Sequence, residues 1–298
     1  MEFNNKKCEN IYNDLEKQID SIARHNRQGA YKTKQRYYEA NQRFANYLAN
    51  EWQVRKFANI SDKHVQGYVE HMKKNDWSAS TIKTDLSAIR FFHAKTEHKH
   101  EISDNSKFDL EQRVVKGVDR AWNSTEYDNF KQVCSKYNNQ RADDVSTLAR
   151  TMGLRIHEAM RISRSDVENA LRTGELHVTG KNGRERDVPV SGEARDVFER
   201  KLEEVERGQK LFVDADQKTH EEIHKLQNFL SRHREQWQEE RADGDPNLSF
   251  HGLRHAYARD RYDDYVKRGF SDSEAKLMVS ELLGHSREEI TDVYLGKK

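Results

Sequence analysis

The sequence predicts a mainly helical α+β protein: a helical N-terminal domain followed by a second domain of helices with a small antiparallel β-sheet. Three observations lead there. The chain has 298 residues, about two domains at ~150 residues each. It contains only two prolines, Pro189 and Pro246, which leaves long stretches free to be helical. Apolar residues recur at helical spacing along most of the chain and switch to strand-like alternation only around 176–190.

Taken in order, Ile11, Leu15, Ile19 and Ile22 mark an amphipathic helix over 8–27. Tyr37, Ala40, Phe44, Tyr47 and Leu48 share one face of a helix over 32–49. Ser61 opens a third helix with the stripe Val65, Tyr68, Val69 and Met72. Ser78 or Ser80 caps a fourth, in which Ile82, Leu86, Ile89, Phe91 and Phe92 face inward. Residues 96–120 are polar and weakly periodic, so the linker is expected there. The domain boundaries follow: an N-terminal helix or arm at 1–29, a helical domain at 30–100, a linker at 101–120, and a second domain at 121–298.

The second domain opens at Asn123, with Glu126 three residues on in the manner of a capping box. Tyr127, Phe130, Cys134 and Tyr137 form its first stripe, which makes Cys134 a core thiol. Val145, Leu148, Ala149 and Met152 continue to Gly153. Leu176 and Val178, a Gly180–Gly183 turn, then Val188 and Val190 predict a hairpin whose Pro189 suits an edge strand. Helical patterns resume over 192–206, 219–240, 250–268 and 272–283, and a capping box at Ser286–Glu289 starts a last helix through Ile290, Val293 and Tyr294.

Composition narrows the function classes. Four tryptophans, 12 tyrosines and 12 phenylalanines argue against disorder. Two cysteines far apart exclude a disulfide framework and a cysteine-based zinc site. No apolar run approaches a membrane span or a signal core, so a cytoplasmic, reducing setting is expected, with no membrane partner. The formal net charge of +1 conceals a gradient. Residues 21–100 hold 15 basic and 7 acidic residues with six histidines, while residues 101–298 hold 34 basic against 39 acidic. A basic segment beside an acidic one fits either a solvated helix face or a nucleic-acid surface.

The chemistry concentrates in the second domain. Gly153-Leu-Arg155 breaks the chain and sets Arg155 at the head of a new helix, with Glu158 one turn on. Ser249 caps a helix on which His251 and Arg254, three apart, share a face near an anion-favouring N-terminus. Gly284 ends a helix and leaves His285 in the corner before the last one. His251 and His255 lack the glutamate of a zinc-hydrolase pair, since Gly252 follows His251, and Gly180-Lys181 is not a phosphate-binding P-loop.

In order, Gly153-Leu-Arg155-Ile-His-Glu158, Lys181 in a turn, His251-Gly-Leu-Arg254-His, Leu283-Gly-His285 and Tyr294 resemble the tyrosine recombinases, or phage-type integrases. The likeness covers the second domain, and the first resembles the family's SAM-like core-binding domain. The resemblance implies a site-specific recombinase that cleaves DNA by tyrosine attack on a backbone phosphate, leaving a 3′-phosphotyrosine and a 5′-hydroxyl, and that integrates and excises a mobile element. It implies Tyr294 as nucleophile, Arg155 and Arg254 as the clamp on the non-bridging oxygens, and His285 as a further hydrogen-bond donor to them. It assigns His251 to accept or orient the tyrosine proton, Lys181 to protonate the leaving 5′-oxygen, and Glu158 to support these groups without reacting.

Protein cations replace a metal in such a scheme, so no metal or cofactor is expected, and cleavage should persist in EDTA. The implied partners are double-stranded DNA recombination sites, held in a C-shaped clamp in the family, and further copies of the chain in a tetramer. An accessory DNA-bending or directionality factor and a nucleoid-associated location are also implied. Lys32, Lys34, Arg36, Arg43, Lys83 and Arg90 are candidate phosphate contacts, chosen for charge and helix context alone. Four residues follow Tyr294, which puts the docking of a further helix into a neighbour in doubt. Residues 1–29 are short for an arm-site domain; a truncated equivalent and a packing helix both stay open, with packing favoured. An inactive DNA-binding regulator and a topoisomerase-like nicking and resealing enzyme are the alternatives. An intact set of six residues argues against the first, and the absence of larger clamp domains against the second.

Overall fold

Side-chain caps start many of the helices, at Ser78 and Asn123 as the sequence marks them and at Asn5, Asn139, Ser163, Ser191 and Ser271 besides, while the cap expected at Ser286 lies outside the described residues. The structure, a computed structural model, describes residues 2–29, 31–111, 119–180, 183–242, 245–285 and 289–296. It divides into two units, Met1–Val114 and Val115–Lys298.

In the first unit Asn5 accepts the backbone N–H groups of Lys7 and Cys8 and starts α1 (Lys6–His25). Helix α2 (Tyr31–Tyr47) runs on into a π-helical turn, Leu48–Trp52. Ser61 precedes α3 (Asp62–Lys74), with His64 accepting the Ser61 backbone N–H, and Ser78 caps α4 (Ala79–His93). Ile11, Leu15 and Ile19 of α1 lie in one core with Phe44, Val65, Val69, Leu86 and Ile89. The N-terminal helix is therefore part of the first unit's interior, and truncating Leu15 to alanine there costs ~2–5 kcal/mol. Phe108, from the stretch expected as linker, is buried in the same core. Asn41 joins α2 to α4 by donating from Nδ2 to the carbonyl of Ala88 at 3.2 Å.

In the second unit Asn123 and Glu126 form the expected capping box at the head of α5 (Ser124–Lys136). Helix α6 (Gln140–Met152) ends at Gly153 with φ +65°, a left-handed conformation that glycine adopts without strain. After α7 (Ile156–Ala159) and α8 (Arg164–Thr173) comes the hairpin β1 (Glu175–Thr179) and β2 (Glu185–Pro189), antiparallel with Leu176 opposite Val188 and Val178 opposite Arg186. Helices α9 (Gly192–Glu204), α10 (Thr219–Arg232), α11 (His251–Lys267), α12 (Asp272–Leu282) and α13 (Glu289–Leu295) complete the order.

Besides Phe108, two expectations at helix ends are not met. The helix expected over 219–240 stops at Arg232, and a 3₁₀ turn at Arg234–Gln236 follows. The turn folds Trp237 back so that its indole N–H donates to the Leu230 carbonyl at 3.0 Å. Ser249 gives α11 no side-chain cap; its carbonyl instead accepts from Gly252 N–H and from the Trp122 indole. Trp122 and Trp237 stack with centroids 4.1 Å apart in a core shared with Phe130, Leu148, Phe198 and Leu253. A smaller cluster of Tyr257, Ala258, Val279, Leu283 and Tyr294 holds α11, α12 and α13 together. Among the described residues, no helix is long and apolar enough to cross a membrane.

Candidate active site

Two helix ends converge on one buried arginine. Arg254, on the first turn of α11, is 0% exposed, and its guanidinium donates to the carbonyls of Gly153 and Leu283, the residues that end α6 and α12. Its Nε donates to the Tyr294 hydroxyl at 3.4 Å, and the guanidinium carbon lies 5.7 Å from the centre of the Tyr294 ring. Burial pushes Arg254 down to about 10, so it remains a cation at neutral pH.

Arg155 stands at the N-terminus of α7, directly after the Gly153 break. Its Nη1 donates to Glu158 Oε1 at 2.7 Å, and its Nη2 donates to His285 Nε2 at 3.2 Å. A nitrogen accepting from a guanidinium carries no proton, so Nε2 of His285 is unprotonated here. The Tyr294 hydroxyl, 3.3 Å from the same nitrogen, donates to it. Burial first, then the positive charges of Arg254 and Arg155, push His285 down to about 4, and the ring is neutral at pH 7.

His251 begins α11 with an exposed flank; its ring centre is 5.8 Å from that of Tyr294 and 5.1 Å from that of His255. Crowding on its inner side, then the charges of His255, Arg254 and Arg155, hold it below its ordinary pKa. Among the described residues no hydrogen bond joins His251 to the Tyr294 hydroxyl; His285 and Arg254 make those contacts. Lys181 lies outside the described residues.

Glu158 is the only carboxylate against these arginines among the described residues. Burial alone would raise it, but hydrogen bonds and charge from Arg186, then Arg155, hold it down at about 2. Three guanidinium groups, those of Arg155, Arg186 and Arg254, lie within 4 Å of this one carboxylate, so the site keeps an excess of positive charge. Among the described residues, no group of three or more His, Cys, Asp or Glu is placed to hold a metal ion.

Several residues that shape this site were given no role in it by the sequence. Arg186 on β2 grips Glu158; its signal was strand alternation, because it shares the inward face with Val188, two residues on. His255 donates from Nδ1 to the Tyr294 carbonyl at 3.3 Å, and Arg259 donates to the Leu295 carbonyl at 3.3 Å while pairing with Asp119 at 2.7 Å. These hold the C-terminal end of α13, and with it Tyr294.

The candidate DNA contacts divide in two. Lys32, Lys34 and Arg36 occupy the start of α2, with Lys32 and Arg36 exposed. Arg43 pairs instead with the buried Asp85 at 2.9 Å, Lys83 donates to the Glu111 carbonyl at 2.6 Å, and Arg90 donates to the Ser103 carbonyl at 2.8 Å. For these three, charge and helix context missed an internal partner.

The phage integrase family profile matches residues 123–298, and the profile of the phage integrase N-terminal region matches residues 12–100. The chain belongs to the phage integrase family. Among curated relatives, the tyrosine recombinase XerC of Natranaerobius thermophilus is 23% identical, over 87% of this chain and 85% of that protein. The tyrosine recombinase XerC of Neisseria meningitidis serogroup C is 30% identical over 145 residues, 48% of this chain and 42% of that protein; the matched stretch thus spans less than half of that relative. Of solved structures, a lambda integrase dimer bound to a COC′ core site aligns with TM-score 0.66 at 17% identity, covering 94% of each chain. The Tn1549 transposon integrase in complex with circular intermediate DNA aligns with TM-score 0.61 at 15% identity, again covering 94% of each. At these identities the likeness is one of fold. The integrase family membership agrees with the tyrosine recombinase resemblance carried by the motifs around Arg155, Arg254, His285 and Tyr294.

Proposed function

We propose that this phage integrase family member is a site-specific DNA recombinase that cuts and rejoins DNA through a 3′-phosphotyrosyl bond at Tyr294. The observation that carries the reading is the Tyr294 hydroxyl held between a permanent cation, Arg254, and an unprotonated imidazole nitrogen, that of His285. A phenol with an ordinary pKa near 10 needs a base to attack and is a workable leaving group in the reverse step, as a reversible join demands.

In this reading the hydroxyl oxygen bonds to phosphorus, the 5′-oxygen leaves, and the phosphodiester energy is kept in the new ester. Arg155 and Arg254 neutralise the charge that builds on the non-bridging oxygens. His285, expected from the resemblance to donate to those oxygens, is here the acceptor nearest the phenolic proton, and His251, expected to take that proton, flanks the ring as the second neutral imidazole. Lys181 supplies the proton to the departing 5′-oxygen, and Glu158 keeps the arginines in place. Duplex DNA carrying the recombination sites is the substrate, a tetramer of this chain on two sites is the working assembly, and accessory DNA-bending factors serve it in a nucleoid setting. Lys32, Lys34 and Arg36 contact DNA phosphates.

The test uses nicked suicide duplexes tiled across the DNA flanking the gene. The full chain should form a covalent adduct, mapped by mass spectrometry to Tyr294, that persists in EDTA and vanishes in Tyr294→Phe. An adduct that survives Tyr294→Phe removes Tyr294 as nucleophile. No adduct on any duplex favours a DNA-binding regulator, and loss in EDTA with recovery in Mg²⁺ overturns the metal-free chemistry.

A further inference from the structure

Arg186, on β2, lies where the strand meets two segments that carry groups of the site, the head of α7 and the end of α12. Its side chain is 7% exposed, although its strand neighbours Glu185 and Asp187 are open to solvent. Its fork donates twice to Glu158, from Nη1 to Oε1 at 3.1 Å and from Nη2 to Oε2 at 2.8 Å. Its Nε donates to the Leu282 carbonyl at 3.0 Å, three residues before His285. The stem fills the space beside Gly284, where an added Cβ would stand 3.1 Å from Arg186 Cδ. Strand β2, the head of α7 and the end of α12 are thus pinned by one side chain.

The partition of Glu158 matters most. Each oxygen of a buried carboxylate accepts about two hydrogen bonds. Oε1 takes Arg155 Nη1 and Arg186 Nη1; Oε2 takes the Arg155 backbone N–H and Arg186 Nη2. With Arg186 occupying half of the acceptor positions, Arg155 spends one arm on Glu158 and aims the other at His285 Nε2. Without it, the bare carboxylate presents two free positions to the nearest guanidinium, and a two-bonded fork is the favoured geometry of that pair. Arg155 would then turn its second arm inward, away from His285 and from the Tyr294 hydroxyl.

We propose that Arg186 is a positioning residue that satisfies Glu158 so that Arg155 keeps one arm directed at the reacting groups, and that ties the hairpin and the His285 corner to the same point. The proposal rests on the recombinase reading for its catalytic consequence, though its geometric content does not. Among the described residues Arg186 makes no hydrogen bond to Tyr294; its polar partners are Glu158 and the Leu282 carbonyl.

Two measurements on the full chain test it. A crystal structure of DNA-free Arg186→Met, which keeps an apolar stem and removes the fork, should have Arg155 bonded through both arms to Glu158 and detached from His285. Arg155 still bonded to His285 overturns the proposal whether or not the protein cleaves DNA. On the duplex that wild type attacks, single-turnover adduct formation by Arg186→Met should fall about 10²-fold, the cost typical of a misplaced catalytic group, with DNA affinity nearly unchanged. Arg186→Lys, which restores charge without the fork, should recover only part of the rate and replaces the methionine variant if that one fails to fold.

The double variant with Arg155→Lys separates positioning from general damage. If Arg186 acts through Arg155, the double should be little slower than the slower single; multiplied losses, or Arg186 variants as fast as wild type, refute the role. A wild-type chain that forms no adduct counts against the recombinase reading and leaves the crystallographic result to decide the geometry.

Discussion

Glu158→Gln isolates the balance of charge under the site. The Glu158 side chain is fully buried, and the pKa of its carboxyl is held at about 2 against an ordinary 4.5. At ~1.4 kcal/mol per pH unit, that difference corresponds to about 3 kcal/mol of preference for the charged form in the folded chain. Removing one member of a buried pair typically costs ~3–5 kcal/mol, because it strands the partner charges. Both routes give a loss of about 3 kcal/mol, seated in the second unit. The assay can see the units separately, because the two cysteines fall one to each: Cys8 is buried in the first and Cys134 in the second. Thiol labelling in a urea series, read by mass spectrometry, should place the Cys134 midpoint of the variant lower by about 1–2 M, using a slope of ~2 kcal/mol per molar. The pH dependence follows from a depressed acid: its stabilisation is full above the unfolded pKa and is lost as pH falls from ~4.5 through about 2. The variant should lack that portion of the acid sensitivity. A Cys134 midpoint within 0.3 M of wild type, or an unchanged acid limb, would refute the argument that the charge of Glu158 stabilises the arginine cluster.

Other outcomes follow from single contacts. His255 is 3% exposed and pushed down to about 4 by burial, so the unfolded chain binds the extra proton and stability falls as pH drops from ~6.5 towards 4; replacing His255 with Gln should flatten the pH dependence of the urea-derived unfolding free energy in that window by up to about 3 kcal/mol. Gly252→Ala would put a Cβ 2.3 Å from the Arg120 carbonyl oxygen and 2.5 Å from Trp122, so α11 must shift and adduct formation should drop by at least about tenfold, checked by single-turnover rates. Lys32→Ala should weaken binding to all duplexes alike and lower the slope of log affinity against log salt by about one, whereas Arg43→Ala should instead destabilise the first unit by ~1–3 kcal/mol, because it leaves the buried Asp85 with the Tyr68 hydroxyl in place of a cation. Fluorescence anisotropy across a salt series and Cys8 labelling distinguish the two.

Much of this was legible along the chain because its cause is local. Asn123 and Glu126 lie three residues apart and cap one helix; Gly153 ends another for reasons of its own backbone; Leu176, Val178 and Val188 alternate because a strand does. The site motifs are short for the same reason, each being one helix end with its charged residue. What escaped depends on distance in sequence. Arg186 finds Glu158 across 28 positions and Arg43 finds Asp85 across 42, and nothing in either arginine's neighbourhood announces that partner. His255, weighed as half of a metal pair, spends Nδ1 on a carbonyl 39 positions away. Positive charge is visible in a sequence, but whether it is already spent is a property of the fold.

The seat of Arg254 has a consequence for which mutations the site can absorb. Two of its anchors are main-chain carbonyls, those of Gly153 and Leu283, and a carbonyl is supplied by any amino acid. Carbonyl dipoles solvate the guanidinium without cancelling its charge, as a carboxylate would. The side chain at position 283 therefore bears on the anchor only through packing, in the buried cluster that holds α11, α12 and α13 together. Position 153 is different, since φ there is +65° and a Cβ would meet the Tyr257 ring at 2.5 Å. The fixed point of this active site is a backbone conformation, and a single methyl group at position 153 would reach it more directly than most changes among the charged residues around it.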